Sequence, residues 1–220
     1  MSEIQDAPPS NQWRLAAWFP ELGEALLSKF KVIFDELVKF NKTLNLVAPK
    51  TIAMADALHF ADGILASHVI STSPVKFKSI HDLGSGCGFP GLIFALLNPG
   101  IQVFLVEMDQ KKCEFIRHII SAVAIPNATI VNSKIEDLKD GSVEVAMVRG
   151  LSTISKVIMP MRKSISKGGL IFHIKGEEWG MEVSEIPIQL CSMWSPGLVG
   201  EYRLPVGEMK FSVIKTDKIS

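Results

Sequence analysis

Leu22, Leu26, Phe30, Ile33, Leu37 and Phe40 recur at spacings of three and four, so they share one stripe and predict a long amphipathic helix. Pro20 just ahead of the stripe fits a helix start. After a polar interruption at residues 41–45, Met54, Leu58, Ala61 and Leu65 resume the helical spacing, and Ser73-Pro74 closes the region. Residues 1–75 therefore read as a helical N-terminal extension.

From Ser79 onward the pattern changes to short apolar runs separated by helix-length amphipathic segments. That alternation is the signature of repeated βα units, hence of an α/β, doubly wound, mostly parallel sheet over residues 76–220. Strands are predicted at Ser79–Leu83, Gln102–Val106, Thr129–Asn132, Val143–Val148 and Leu170–Lys175, with helices at Pro90–Leu97, Lys111–Ala124 and Thr153–Ser166. Phe115, Ile116, Ile119, Ile120 and Val123 form the buried face of the middle helix. Beyond Gly176 the alternation stops. Pro187, Pro196 and Pro205 punctuate segments that end in Phe211–Lys215, which predicts an antiparallel addition at the sheet edge.

A chain of 220 residues is one ordinary domain with at most a small appendage, and its 47% hydrophobic content and mean hydropathy of +0.26 exclude disorder as the main theme. No apolar run approaches the roughly eighteen residues of a membrane span, and residues 1–6 lack the basic flank of a signal peptide, so a cytoplasmic protein without membrane contact is expected. Cys87, Cys113 and Cys191 are odd in number and widely separated, which supports neither a disulfide framework nor a CxxC site. The five histidines are scattered without metal spacing, so no metal site is expected. Formal charge is zero, which argues against bulk electrostatic binding of nucleic acid. Its distribution is uneven: residues 81–148 carry 5 basic and 8 acidic side chains, and residues 149–220 carry 10 and 7.

The chemistry concentrates in DLGSGCGFPG, residues 82–91, directly after the first predicted strand and directly before a helix. Glycines at 84, 86, 88 and 91 let a ligand lie against bare backbone at the C-terminal edge of the sheet. Gly86, Gly88 and Gly91 satisfy a literal GxGxxG, the dinucleotide fingerprint. With Gly84 as the strand-end glycine, however, Phe89 falls where the last glycine of that fingerprint belongs. Asp82 is an awkward neighbour for a pyrophosphate and a natural one for the amino group and sulfonium of S-adenosylmethionine. Glu107, after the second strand, stands where either ligand class places an acceptor for two ribose hydroxyls, and Glu136 with Asp137 follows the third strand, alongside the adenine.

Together these segments resemble the RsmG proteins, also called glucose-inhibited division protein B, which methylate N7 of a guanine in bacterial 16S ribosomal RNA. The resemblance spans roughly residues 30–215 and rests on NKTLNLV at 41–47 with His59 and Asp62 following, GSGCGFPG, KKCEFIR at 111–117, VRG at 148–150 and HIKG at 173–176. It implies a seven-stranded class I methyltransferase fold, Rossmann-like, over residues 76–220, with S-adenosylmethionine as cofactor. The implied cofactor pocket takes Gly84 and Phe89 from the loop, Ile135 and Glu136 after the third strand, and Arg149 after the fourth. This chain departs from the family pattern in having Leu58 where an arginine often precedes the histidine, Met209 where an arginine stands near the tail, and Lys134 where arginine is common.

Guanine N7 carries an available lone pair, so no general base is required and catalysis reduces to alignment; no catalytic acid or base is assigned. Arg149 would oppose the charge developing on the base if placed beside N7, so it is expected to hold the cofactor carboxylate or an RNA phosphate. Lys175, ending the fifth strand, is the expected phosphate contact, and Asn41, Lys42 and Asn45 are expected to complete the RNA side. The partner is 16S ribosomal RNA, free or within a small-subunit particle, with its target base unstacked. No obligate protein partner is evident. A small-molecule methyltransferase of the same fold and a nicotinamide-dependent dehydrogenase are the alternatives.

Overall fold

The structure, a computed structural model, describes residues 13–220; residues 1–12 of the predicted extension lie outside the described region. The chain runs through α1 (Leu15–Trp18), a 3-10 turn at Pro20–Leu22, α2 (Gly23–Leu44), α3 (Pro49–Ile52), a π-helical turn at Asp56–Ala61 and α4 (Asp62–Thr72). It continues through β1 (Ser79–Leu83), α5 (Gly91–Leu97), β2 (Gln102–Glu107), α6 (Gln110–Ala122), β3 (Ala128–Asn132), a 3-10 turn at Ile135–Asp137 and β4 (Val143–Arg149). It ends with α7 (Ile154–Met161), β5 (Ile165–Lys175), α8 (Trp179–Ser184), α9 (Ile188–Cys191), β6 (Trp194–Arg203) and β7 (Lys210–Lys218).

The seven strands order as β3-β2-β1-β4-β5-β7-β6, with β1 to β5 parallel. The hairpin β6–β7 inserts β7 antiparallel against β5. This is the expected edge addition. Pro196 is tolerated because β6 is the outer strand, where a missing N–H breaks no second ladder. Strand order reverses between β1 and β4, and a crevice opens beyond the strand ends at that switch point.

Both faces of the sheet are covered, so the central strands read as unbroken apolar runs. On β4, Val145 and Met147 enter one core with Phe30, Ile33, Phe94 and Phe115, while Ala146 and Val148 enter the other with Val157, Ile158 and Trp194. The N-terminal helices belong to the first core. Phe40 of α2 packs, half-buried, on the buried Phe115 of α6 at 5.5 Å between ring centroids, and full burial of a side chain like that of Phe115 contributes about 1.5–3 kcal/mol. Trp13 packs on Phe34 and Phe60, and the Arg14 guanidinium grips Asp56 with two 2.8 Å hydrogen bonds, which docks the start of the described chain onto the π-helical turn.

Several boundaries differ from the sequence reading, most of all around α7 and β5 and at the end of α6. The helix predicted over Thr153–Ser166 ends at Met161, one residue past Pro160, whose missing N–H weakens its last turn, and the chain then turns so that Ile165 already pairs with Val143 in β5. Between Ile165 and Leu170 the strand bulges through Gly168 (φ +80) and Gly169, where a Cβ would lie 2.5 Å from the Glu144 carbonyl oxygen. α6 stops at Ala122 rather than Ala124, since Ala124 adopts φ +50 and turns the chain toward β3. The short helices α8 and α9 carry too few periodic positions to register as a pattern.

Candidate active site

A cleft of about 1160 Å³ opens at the C-terminal ends of β1, β2, β4 and β5. Its floor is the glycine loop. Gly84 and Ser85 donate their N–H groups to the Val106 carbonyl at 2.9 Å, and Gly88 closes a turn onto the Ser85 carbonyl at 2.8 Å. Gly84, Gly86 and Gly88 all have positive φ, yet their surroundings differ. A Cβ on Gly88 would lie 2.3 Å from the Leu92 side chain, whereas one on Gly86 would meet nothing within 4 Å. Gly88 is glycine for packing. Gly86 leaves open space over the cleft floor, where a ligand approaches backbone.

Asp82 holds the loop from beneath. It is 1% exposed, does not line the cleft, and accepts the Gly91 N–H at 3.0 Å. Burial pushes its carboxyl up to about 7 despite the hydrogen bonds that favour the ionised form. The sequence reading gave Asp82 to the cofactor; its side chain is instead committed to the first turn of α5, and a Cβ on Gly91 would collide with it at 2.6 Å.

Glu107 lines the cleft and is held in place on both oxygens: Oε2 accepts the Gly86 N–H at 2.9 Å and Oε1 the Asp109 N–H at 2.8 Å. A carboxylate offers about four acceptor positions, so each oxygen retains capacity for a ligand hydroxyl. Asp109 caps α6 through Lys111 N and Lys112 N. Ile135 and Glu136 line the same wall from the 3-10 turn after β3. The open cradle over Gly86 beside a prearranged carboxylate fits the adenosyl moiety of a nucleoside cofactor.

Arg149, at the end of β4, lines the opposite wall with its side chain 20% exposed. Its Nε meets Asp62 Oδ2 as an ion pair that is not aligned as a hydrogen bond, and its Nη2 donates to the Leu58 carbonyl. Nη1 stands 3.5 Å from His59 Nδ1. His59 also lines the cleft, stacked at 5.8 Å on Phe89, and burial together with Arg149 lowers its imidazole to about 3. The sequence assigns His59 no role in the site, and its neutral ring reaches the cleft from the π-helical turn. Burial pushes the Cys87 thiol up to about 12, so it stays protonated at the cleft floor.

The residues expected to touch RNA separate. Lys175 lines the cleft but is only 12% exposed, pairing with Glu182 at 2.7 Å and donating to the Ser152 carbonyl at 2.6 Å. Asn41 Oδ1 accepts the Val47 N–H at 2.9 Å, and Asn45 is the left-handed residue that ends α2 (φ +47). Neither these nor Lys42 lines the cleft; their neighbour Leu46 does. Lys134 and Lys156, which the sequence reading did not place on the RNA side, stand exposed on the cleft rim without an ion-pair partner among the described residues. Among the described residues no three His, Cys, Asp or Glu side chains gather as a metal site, and no helix is long and apolar enough to cross a membrane.

The profile of the rRNA small subunit methyltransferase G family matches residues 26–193. The chain is 55% identical over 216 residues to a ribosomal RNA small subunit methyltransferase G 3 of Bdellovibrio bacteriovorus, covering 98% of each. It is 32% identical to a ribosomal RNA small subunit methyltransferase G of Paracoccus denitrificans, over 68% of this chain and 76% of that one. Among solved structures it resembles an S-adenosylmethionine-dependent methyltransferase from Aquifex aeolicus, with TM-score 0.56, 13% identity, 77% of this chain and 98% of that chain. A tRNA (m1A58) methyltransferase from the same organism aligns with TM-score 0.52 and 13% identity over 73% and 69% of the two chains.

Proposed function

Because the chain belongs to the rRNA small subunit methyltransferase G family, we propose that it binds S-adenosylmethionine in the cleft and methylates N7 of a guanine in 16S ribosomal RNA in the cytoplasm. The observation that carries the cofactor assignment is the empty space above Gly86 next to the doubly anchored Glu107. When bound, the cofactor supplies a methyl group on a sulfonium, already activated for transfer.

The residues then have separable tasks. Gly84, Gly86 and Phe89 support the cofactor from the loop, and Glu107 accepts its ribose hydroxyls. Ile135 and Glu136 flank the adenine, and Arg149 faces the cofactor carboxylate or a substrate phosphate across the cleft. Guanine N7 presents its lone pair at neutral pH, so no side chain has to remove a proton first. A neutral His59 and a protonated Cys87 at the cleft are compatible with a reaction run by alignment. The helical region up to residue 75 serves as the substrate-facing extension, with Leu46 and His59 reaching the cleft from it. The rim lysines Lys134 and Lys156 give an RNA backbone its charge partners.

The test is direct. Ribosomal RNA from cells lacking this protein is incubated with the purified enzyme and S-adenosylmethionine, and N7-methylguanine is mapped by chemical cleavage. One new modified guanine in 16S RNA is expected. Methylation at another atom, or preferential binding of NADH over S-adenosylmethionine, would overturn the reading.

A further inference from the structure

Arg149 is held in the cleft wall by two residues that do not line the cleft, Asp62 and Tyr202. Its Nε faces Asp62, the first residue of α4, which is fully buried. The other oxygen of that carboxylate, Oδ1, accepts the Tyr202 hydroxyl at 2.6 Å from β6, 140 positions further along the chain. Tyr202 is itself 9% exposed, its ring stacked on Phe211 at 5.7 Å. The hydrogen bonds along the far side of Arg149 have one consistent direction. Thr51 Oγ1 donates to the Ala48 carbonyl at 2.8 Å, so it is left as an acceptor toward His59 Nε2 at 3.5 Å, and His59 Nδ1 then offers its lone pair to Arg149 Nη1. The Leu58 carbonyl and His59 take hydrogens of Nη2 and Nη1, Asp62 holds the Nε side as an ion pair, and the guanidinium thus anchored lines the cleft.

A pair buried this deeply brings little net stability, because desolvating both charges offsets their attraction. Its value at this position is geometric and electrostatic. A fork held on three sides cannot swing away when the cleft is empty. The Asp62 charge also cancels that of Arg149, so a base that becomes cationic as its N7 is methylated does not face an uncompensated cation.

We propose that Asp62 and Tyr202 are positioning residues for Arg149, and that the C-terminal hairpin thereby sets the geometry of the active-site cleft. This rests on the reading of Arg149 as a ligand-facing residue of that cleft. The Tyr202 hydroxyl, donating to Oδ1, favours the ionised form of Asp62, and that form holds Arg149. Of the charged and titratable groups around Asp62, Arg149 comes from β4 and Tyr202 from β6, and among the described residues α5, β7 and the π-helical turn bring no other that acts on it. Burial raises the Asp62 carboxyl, and Arg149 and the Tyr202 hydroxyl oppose that rise. Removing the hydroxyl therefore moves protonation of Asp62, and the release of Arg149, to higher pH.

Tyr202→Phe keeps the ring and deletes only the hydroxyl; Asp62→Asn keeps the shape and deletes the charge. In the full-length protein without ligand, the Arg149 Nε–H resonance of 15N-labelled samples reports whether the guanidinium is held against the buried Asp62. It is expected to stay protected from exchange to lower pH in the wild type than in Tyr202→Phe, and to lose protection at all pH values in Asp62→Asn. Methyl transfer to 16S RNA by Tyr202→Phe is expected to fall roughly 10- to 100-fold in kcat/KM, with its acid limb displaced upward, while Asp62→Asn is low and lacks that limb. Unchanged Arg149 protection in both variants, or an equal loss of activity at every pH, overturns the proposal. A wild type with a protected Arg149 that neither binds S-adenosylmethionine nor methylates RNA would instead overturn the functional reading and leave the positioning network intact.

Discussion

Gly86 donates its backbone N–H to the Glu107 carboxylate across 2.9 Å, which ties the middle of the glycine loop to the end of the neighbouring strand. Glu107 therefore has two jobs, shaping the loop and accepting ligand hydroxyls. Glu107→Ala is expected to weaken S-adenosylmethionine binding by roughly 1.5–3 kcal/mol, the range for hydrogen bonds to a charged group. Glu107→Gln retains an acceptor for Gly86 or Asp109 but not for both, and should fall between the two. Titration calorimetry on the three proteins checks the order; an affinity in Glu107→Ala equal to the wild type would remove Glu107 from the binding site.

Gly86 and Gly88 lie two residues apart, and their substitutions should fail for different reasons. Asparagine tolerates the left-handed backbone at Gly86 (φ +59), so Gly86→Asn should fold normally, fill the open space and abolish cofactor binding. Gly88→Ala places its Cβ 2.3 Å from Leu92 Cδ1 and 2.8 Å from Cγ, and should cost about 1–3 kcal/mol of stability through overpacking. Thermal melts paired with calorimetry separate the outcomes. A Gly86→Asn protein that binds normally would show that the cofactor does not cross that part of the floor.

Much of this site could be read before the fold was known, because its signals are local. Glycines 84, 86 and 88 adjoin an apolar run, Glu107 ends the next one, and the burial of both faces of β4 is written as an unbroken Val-Ala-Met-Val. What escaped depends on contacts between separate elements. No pattern near Asp62 announces Tyr202, 140 positions away, and none near Lys175 announces Glu182, because a polar contact between separate elements leaves no periodic trace. The same holds for His59, whose path to the cleft depends on one π-helical turn braced by Arg14 and Asp56. Asp82 was legible as a strand-end carboxylate, but which way it turned depended on Gly91 having no side chain to block it.

Asp82 gives a pH signature. Its folded carboxyl, at about 7, lies above its ordinary value of 3.8, so the native state binds a proton that the unfolded chain has already lost. The stability associated with that proton is fully present below about 3.8 and is lost as pH rises through about 7. Asp82→Asn, with no proton to lose, should gain stability relative to the wild type between pH 4.5 and 7.5, by an amount on the order of a few kcal/mol. Chemical denaturation at pH 4.5, 6 and 7.5 measures the difference. A constant gap between the two proteins would mean that the buried carboxylate is ionised throughout.

Lys175 and Lys156 share the cleft rim but not the same freedom, and this predicts how each meets RNA. Lys175 gives its ammonium to Glu182 and to the Ser152 carbonyl, and Glu182 in turn accepts the Ile154 N–H at 2.8 Å, so the pair braces the turn that carries Gly150, Leu151 and Ser152 along the cleft. Lys156 stands exposed on α7 with no such partner among the described residues. Lys156→Ala should weaken RNA binding and lower the slope of log affinity against log salt by about one unit, while cofactor affinity stays unchanged. Lys175→Met should leave the salt slope nearly intact and lower turnover even at saturating RNA, because what is lost is the shape of the cleft wall and not a phosphate contact. Filter binding across a salt series, read beside single-turnover methylation, distinguishes the two. If Lys175→Met flattens the slope while Lys156→Ala does not, the RNA backbone crosses the β5 end of the rim, and the Lys175–Glu182 pair opens when RNA binds.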